Sequence, residues 1–168
     1  MFVSDSSPLI YLAALSDFEM LRDLFERITI PAAVFHEVVT NGRGAVVDCV
    51  DDAVAAGWIR VTTITNQDAA NELLSWSGMH RGESEAIGLV RELNAHTLLA
   101  DDHAAVSYAG GIGINVLRTP GIYRLAKARG RLDAVRPKLD ALLKAGFYMN
   151  AEHYHAILEL SRENQRDD

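Results

Sequence analysis

The stretch Met1–Leu12, MFVSDSSPLIYL, contains a short apolar run, an acidic residue and a helix-start signal in succession. Phe2-Val3-Ser4 predicts a buried first strand. Ser7 before Pro8 predicts a helix N-terminus, with serine as the N-cap and proline at the first helical position. Asp5 therefore stands where a strand ends and a helix is about to begin. In an open sheet of strands and helices, groups that bind a ligand gather at such junctions.

The same alternation of short apolar runs and helical patterns continues along the chain until Thr119-Pro120, after which only helices are predicted. Further strands are predicted at 28–30, 58–62, 97–100 and 114–117. Strands that alternate with helices through short connections predict a parallel sheet covered by helices, which is an α/β fold. Residues 1–118 are therefore expected to form the core, and residues 119–168 a C-terminal helical extension packed on the same domain.

Size and composition indicate one globular domain. The chain has 168 residues, of which 49% are hydrophobic and 23% are charged. No run approaches the roughly 18 apolar residues that a membrane helix needs, and no secretory signal is visible. Cys49 is the only cysteine, which excludes an internal disulfide and a cysteine-based zinc site. These features predict a soluble, cytoplasmic protein that is not bound to a membrane.

The charge is unevenly distributed. The whole chain carries −7, but residues 118–144 contain eight basic residues and two acidic ones, a local charge of +6 that leaves −13 for the rest. A local basic surface on an acidic protein can attract phosphates. The alternative is that these are ordinary solvated helix faces. Within this segment Arg118, Arg124 and Lys127 are the candidate contacts for the phosphates of a nucleic-acid backbone.

Acidic residues recur where apolar runs end or helices begin. They are Asp5, Glu37, Glu83, Asp101 and Asp102. If these side chains converge, they form a basin of oxygen ligands only, which suits Mg²⁺ or Mn²⁺. Taken singly, each has an ordinary explanation, such as a helix cap, a solvated stripe or a favourable helix dipole. Taken together, they predict metal-assisted hydrolysis of phosphodiester bonds, in which the metal activates the attacking water.

Other catalytic chemistries find less support in the sequence. The six histidines include no HExxH pair, and His153 and His155 are spaced two apart, so they do not share a helix face. Ser6 and Ser7 lack the Gly-x-Ser-x-Gly context of a serine nucleophile. The glycine-rich turn at 110–113 follows a helix rather than a strand, which does not fit dinucleotide binding.

Four stretches in this order resemble the PIN domain, and most of all the VapC-like nucleases that act as toxins in bacterial and archaeal toxin–antitoxin pairs. The stretches are FVSDSSPLIYL, ITIPAAVFHEVV, RGESEAIGLVREL and TLLADDHAAVSYAGGIGINVL. The segment 118–150 also resembles the helical extension of one subgroup. The resemblance implies a Rossmann-like, three-layer α/β/α fold with a central parallel sheet, and a Mg²⁺- or Mn²⁺-dependent endoribonuclease.

The resemblance also implies a role for individual residues. The family's acids fall on Asp5, Glu37, Glu83 and either Asp101 or Asp102, of which Asp101 is favoured and Asp102 is auxiliary. Ser6 occupies the place of a small polar residue that orients the first acid. Two partners are implied besides the RNA substrate, namely a small antitoxin that blocks the acidic cleft and a second copy of the chain in a homodimer.

Two departures and two rival functions accompany the resemblance. Glu83 stands where many family members have Asp, and Val106 stands where the similar subgroup has Arg, which removes one salt bridge or phosphate contact. The main alternative function is a catalytically inactive PIN-like module that binds RNA or protein. A receiver-like phosphoacceptor domain ranks lower. Such a domain normally has an acidic pair after its first strand, whereas the first predicted strand of this chain is followed by Asp5 alone.

Overall fold

The computed structural model describes residues 1–163, except for the side chains of residues 76 and 77, so the end of the expected extension, residues 164–168, lies outside the described part. Within that part, five short parallel strands form one sheet in the order β3-β2-β1-β4-β5. They are β1 (Phe2–Ser4), β2 (Ile28–Pro31), β3 (Ile59–Thr62), β4 (Thr97–Leu99) and β5 (Asn115–Leu117). The order reverses between β1 and β4, and in sheets of this kind ligands bind beyond the carboxyl ends of the strands at that reversal.

The register aligns the carboxyl ends of the two central strands. Ser4 is opposite Leu99, and the backbone N–H of Asp5 donates to the carbonyl of Leu99 at 2.9 Å. Asp5 and the acidic pair that follows β4 therefore leave the sheet at the same edge.

Helices connect the strands and cover the sheet. In the first compact unit, Met1–Arg118, they are α1 (Ser6–Ala14), α2 (Glu19–Phe25), α3 (Ala32–Phe35), α4 (Ala45–Ala55), α5 (Gln67–Ser77), α6 (Arg81–Glu92) and α7 (His103–Gly111). α6 packs against β1, β2 and β4, and its apolar residues form one core cluster with Val3 and Leu98. The predicted α/β class, with its parallel sheet and three α/β/α layers, is confirmed.

The starts of two helices differ from the prediction. Helix α1 begins at Ser6, and Asp5 is its N-cap, with the carboxylate accepting from the N–H of Ser6. The expected Ser7 cap was therefore wrong, because the acid already satisfies the first free N–H of the helix. Helix α6 begins at Arg81 with His80 as its N-cap, so Glu83 is the third helical residue rather than the first.

A second compact unit starts at Thr119. It contains α8 (Thr119–Ala128), α9 (Arg136–Lys144) and α10 (Ala151–Leu160). The Glu163 carboxylate accepts from Lys127 Nζ at 2.5 Å and from the N–H groups of Val135 and Arg136 at 2.6 and 2.9 Å. It thereby joins the end of α8 to the start of α9. Among residues 1–163, no helix has the length and apolar character needed to cross a membrane.

Candidate active site

Asp5 is the most buried acid of the candidate site, with only 1% of its surface exposed. Its Oδ1 accepts from the N–H of Ser6 at 2.6 Å and lies 3.3 Å from the Ser6 hydroxyl. Its Oδ2 is buried and has no hydrogen-bond partner among residues 1–163. Burying a carboxylate oxygen without a partner raises the free energy of the folded state, because the oxygen loses its hydrogen bonds to water and no others replace them. This oxygen therefore favours a proton or a cation.

The electrostatics of Asp5 support the same conclusion. The pKa of Asp5 is raised from 3.8 to about 7, chiefly by burial and also by the nearby charges of Glu83 and Glu37, against the lowering effect of the hydrogen bonds from Ser6. Charges shift a pKa in this way only when they are close. Asp5, Glu37 and Glu83, which are far apart in sequence, are thus brought near one another.

Glu37 reaches the site from the segment after β2. Its side chain is exposed, and its Oε1 lies 3.1 Å from the Ser6 hydroxyl. Ser6 Oγ is therefore within hydrogen-bond distance of both Asp5 and Glu37. A hydroxyl has one proton, so it can donate to only one of the two carboxylates at a time. The expected orienting role of Ser6 fits this bridge, and one small side chain serves two acids.

The backbone that carries Glu37 has an unusual form. Helix α3 continues into a π-helical turn, His36–Thr40, and the N–H of Asn41 closes it on the carbonyl of His36 at 2.9 Å. Such turns are rare and occur frequently at functional sites. Gly42 follows immediately, and a Cβ there would lie 1.8 Å from the carbonyl oxygen of Val38. The turn therefore requires glycine at position 42.

Glu83 is held at the first turn of α6. Its Oε2 accepts from the backbone N–H of His80 at 3.0 Å, and the two residues form a reciprocal capping box. Burial raises the pKa of Glu83, as do the charges of Asp102 and Glu37, while the bond from His80 and the charge of that residue lower it.

Gly82 places this turn directly against the acids. A Cβ on Gly82 would lie 3.0 Å from Glu37 Oε2 and 3.6 Å from Asp5 Oδ1. Any larger residue at position 82 would enter the space between the carboxylates. The first turn of α6 is therefore one wall of the candidate site.

The two acids after β4 lie in different surroundings. Asp101 is buried, its Oδ1 is 4.0 Å from Arg118 Nε, and its carbonyl accepts from Arg118 Nη2 at 3.2 Å. Half-buried Asp102 caps α7, with Oδ1 accepting from the N–H groups of Ala104 and Ala105 at 2.7 and 3.2 Å. The charge of Asp102 raises the pKa of Glu83.

The expected RNA contacts lie in different units. Arg118 belongs to the first unit, where it holds Asp101. Lys127 and Arg124 belong to the second unit, where Lys127 is paired with Glu163 and Arg124 is exposed.

Three further residues of the site carry signals that the sequence interpretation did not use. His80 stands three residues before Glu83, which is the spacing of a capping box with histidine in the place of serine or threonine. Gly82, next to an acid at a helix start, is a signal for close approach of the backbone. Glu85, a second acid two residues after Glu83, is almost fully buried and accepts hydrogen bonds from three groups.

The residues fit a hard divalent cation in their chemistry. Every donor of the site is a carboxylate oxygen, and the buried Oδ2 of Asp5 has no partner among residues 1–163. In the described part of the chain, no three His, Cys, Asp or Glu side chains meet around one point as a closed metal cage does. Glu37 is exposed, and so its side chain is able to change rotamer without disturbing the core.

Comparison with known proteins agrees with this geometry. The model of a PIN-domain family, DUF3368, matches residues 1–163 and so extends over both compact units. No curated protein matches the chain. PIN domains are generally nucleases that act on RNA or other nucleic acid and use divalent metal ions. With a match over nearly its whole length, the chain belongs to the PIN-domain family.

Proposed function

We propose that this protein is a Mg²⁺- or Mn²⁺-dependent endoribonuclease whose site is built from Asp5, Glu37, Glu83, Asp101 and Asp102. The observation that carries the proposal is the environment of Asp5. Its Oδ2 is buried without a partner among residues 1–163, and its pKa is raised to about 7 with the charges of Glu83 and Glu37 nearby. Crowded carboxylates repel one another, so such a cluster is costly to keep unless a cation compensates it.

Each residue has a defined role in the proposal. Ser6 fixes Oδ1 of Asp5 through its N–H and leaves Oδ2 for the cation. Glu37 supplies a carboxylate from the π-helical turn, and Glu83 supplies one from the wall formed by α6. When bound, a divalent ion offsets charge on the scissile phosphate and lowers the pKa of the attacking water. The N–H groups of Ser6 and His80 hold the Asp5 and Glu83 carboxylates in place.

We further propose that the protein is the toxin of a toxin–antitoxin pair, with a small antitoxin that covers the acids and a homodimer as the assembled form. This part rests on the resemblance to VapC-like nucleases. Arg118, Arg124 and Lys127 are the proposed contacts with RNA phosphates.

The experiment that tests the ribonuclease function is a divalent-metal titration with end-labelled single-stranded RNA. Wild type is expected to cleave the RNA with Mg²⁺ or Mn²⁺ and to stop when EDTA is added. Asp51→Asn is the matched control, since Asp51 is an exposed acid on α4. If wild type binds RNA but shows no metal-dependent cleavage, the protein is a binding module instead.

The same assay separates the two acids after β4. We expect Asp102→Asn to reduce cleavage more than Asp101→Asn, because the charge of Asp102 acts on Glu83 whereas Asp101 contacts Arg118. Asparagine keeps the Oδ1 that caps α7, so the helix start survives the substitution. If Asp101→Asn reduces cleavage more than Asp102→Asn, the fourth acid of the site is Asp101, the residue that the family resemblance favoured.

Gly42→Ala tests whether the π-helical turn positions Glu37. The added methyl group would overlap the Val38 carbonyl, so the backbone must shift and carry Glu37 with it. A displacement of about 1 Å can lower turnover by about 100-fold. Gly110→Ala is the control, since a Cβ there has no heavy atom of the described chain within 4 Å. Equal cleavage rates for the two variants would show that the turn has no positioning role.

A further inference from the structure

Glu85 is a buried carboxylate that the proposed metal site does not use. It is 3% exposed, and it lies on α6 two residues after Glu83. Its Oε1 accepts from Arg81 Nε at 2.9 Å and from Gln67 Nε2 at 3.3 Å, and its Oε2 accepts from the N–H of Ala33 at 3.4 Å. Glu85 is therefore fixed by α3 and α5 as well as by its own helix.

Glu85 holds the Arg81 side chain at Nε, and the two Nη groups of the guanidinium remain available to a ligand. The bond to Glu85 uses Nε, and the side chain of Arg81 is still 66% exposed. In the part of the chain that the structure describes, the hydrogen bond of the Arg81 side chain is made by Nε, and neither Nη group makes one. The two Nη groups form one edge of a planar fork that matches two oxygens of a phosphate.

Arg81 stands in the first turn of α6, the turn that approaches the acids. Its neighbour in the chain is Gly82, where a Cβ would lie within 3.0 Å of Glu37 Oε2 and 3.6 Å of Asp5 Oδ1. The anchor Glu85 also bonds Ala33 in α3, the helix that leads into the turn with Glu37. Arg81 therefore belongs to the helical turn at the rim of the carboxylate cluster, and Glu85 links this turn to the segment that carries Glu37.

A fixed cation at this rim has an electrostatic use. The cluster of acids repels the phosphates of an approaching RNA, and a positive group beside it offsets that repulsion. Arg118, another arginine near the acids, is already engaged by Asp101. We infer that Arg81 binds a backbone phosphate of the RNA substrate next to the cleavage site, with Glu85 as the residue that orients it. This inference rests on the proposed ribonuclease function.

The competing explanation is that Arg81 only neutralises the buried Glu85. Three variants separate the two explanations. Arg81→Gln removes both the charge and the planar fork, whereas Arg81→Lys keeps the charge and loses only the fork. Arg91→Gln is the control, since it removes an exposed arginine from the other end of the same helix. The melting temperature of each variant reports any loss of stability separately from binding.

The test is the affinity for labelled single-stranded RNA, measured by fluorescence anisotropy in EDTA over a range of salt concentrations. For Arg81→Gln we expect about tenfold weaker binding at low salt. We also expect a slope of log K against log salt that is smaller by about 0.7, the value for one lost phosphate contact on a single strand. Arg81→Lys should bind with intermediate affinity, and Arg91→Gln should match wild type. In cleavage assays with metal, KM should rise more than kcat falls.

Three outcomes would overturn the inference, and they are distinguishable from one another. If wild type binds RNA and Arg81→Gln has the same slope as Arg91→Gln, Arg81 has no phosphate contact and the ribonuclease proposal is untouched. A fall in the melting temperature of Arg81→Gln without a change in slope also excludes the phosphate contact and identifies Arg81 as a stabilising partner of Glu85. If wild type neither binds nor cleaves RNA, both the inference and the proposed function are wrong.

Discussion

Asp5→Asn is expected to lower RNA cleavage by about 10³-fold while leaving the protein folded, because it removes the most buried of the carboxylates that we propose as ligands for the divalent ion. Metal-ion catalysis contributes several kcal/mol of transition-state stabilisation, and each 1.4 kcal/mol corresponds to about a tenfold change in rate. The fold should persist because asparagine retains an Oδ1 that can accept from the N–H of Ser6 and cap α1. Turnover of labelled single-stranded RNA at saturating metal is the measurement.

A control variant and the melting temperature separate an effect of Asp5→Asn on catalysis from an effect on stability. Asp51→Asn removes the same charge from an exposed site on α4 and should cleave like wild type. The melting temperature of Asp5→Asn without metal should equal or exceed that of wild type. Cleavage by Asp5→Asn at more than about a tenth of the wild-type rate would exclude Asp5 as an essential ligand. Loss of cleavage together with loss of the folded state would point to a structural role for the carboxylate.

The second large effect concerns stability against pH in the absence of metal. The pKa of Asp5 is raised by burial from 3.8 to about 7 in the folded protein. The folded state therefore holds a proton that the unfolded chain has already released, and stability falls as pH rises between these two values. Near or below pH 3.8 the penalty is absent, and above about pH 7 it is complete. The shift corresponds to a loss of at most about 4 kcal/mol.

The measurement is the free energy of unfolding in EDTA across this pH range, for wild type and for Asp5→Asn. The difference between the two proteins isolates Asp5 from other titrating groups. Asp5→Asn should unfold at a temperature higher by about 5–10 °C at neutral pH, and the advantage should disappear near pH 4. A difference that does not change with pH would mean that Asp5 is ionised in the folded protein throughout and that its burial has been compensated.

Metal should reverse this pH dependence. A divalent ion binds the ionised carboxylates and not the protonated ones, so it should stabilise wild type at neutral pH and have little effect near pH 4. The raised pKa of Glu83, also caused first by burial, acts in the same direction. Asp5→Asn should lose most of the stabilisation by metal at every pH.

The sequence allowed the fold and most of the candidate site to be predicted, because both depend on where strands end. A short apolar run followed by an acid was enough to place Asp5 beyond β1 and the acidic pair beyond β4, and parallel pairing then put them at one edge. Glu37 and Glu83 were predicted from their positions in helical segments, Glu37 after β2 and Glu83 at the start of the helix before β4. These inferences needed only the periodicities of strands and helices and the direction of the sheet.

The details that depend on local backbone geometry could not be predicted in this way. Nothing in the pattern of HEVVT indicates a π-helical turn, which arises from how α3 meets the loop at Gly42. Which of the two successive acids caps α7 depends on where that helix begins, and Asp102 accepts from the N–H groups of Ala104 and Ala105. The anchor role of Glu85 depends on Ala33 and Gln67, which are distant in sequence.

The central claim is that acids from separate parts of the chain capture one kind of divalent ion. The most direct test is a calorimetric titration of Mn²⁺ into metal-free protein at neutral pH, for wild type, Asp5→Asn and Asp51→Asn. Saturable binding is expected for wild type and Asp51→Asn, with loss of that binding in Asp5→Asn. Equal binding by wild type and Asp5→Asn, or no saturable binding by wild type, would contradict the claim.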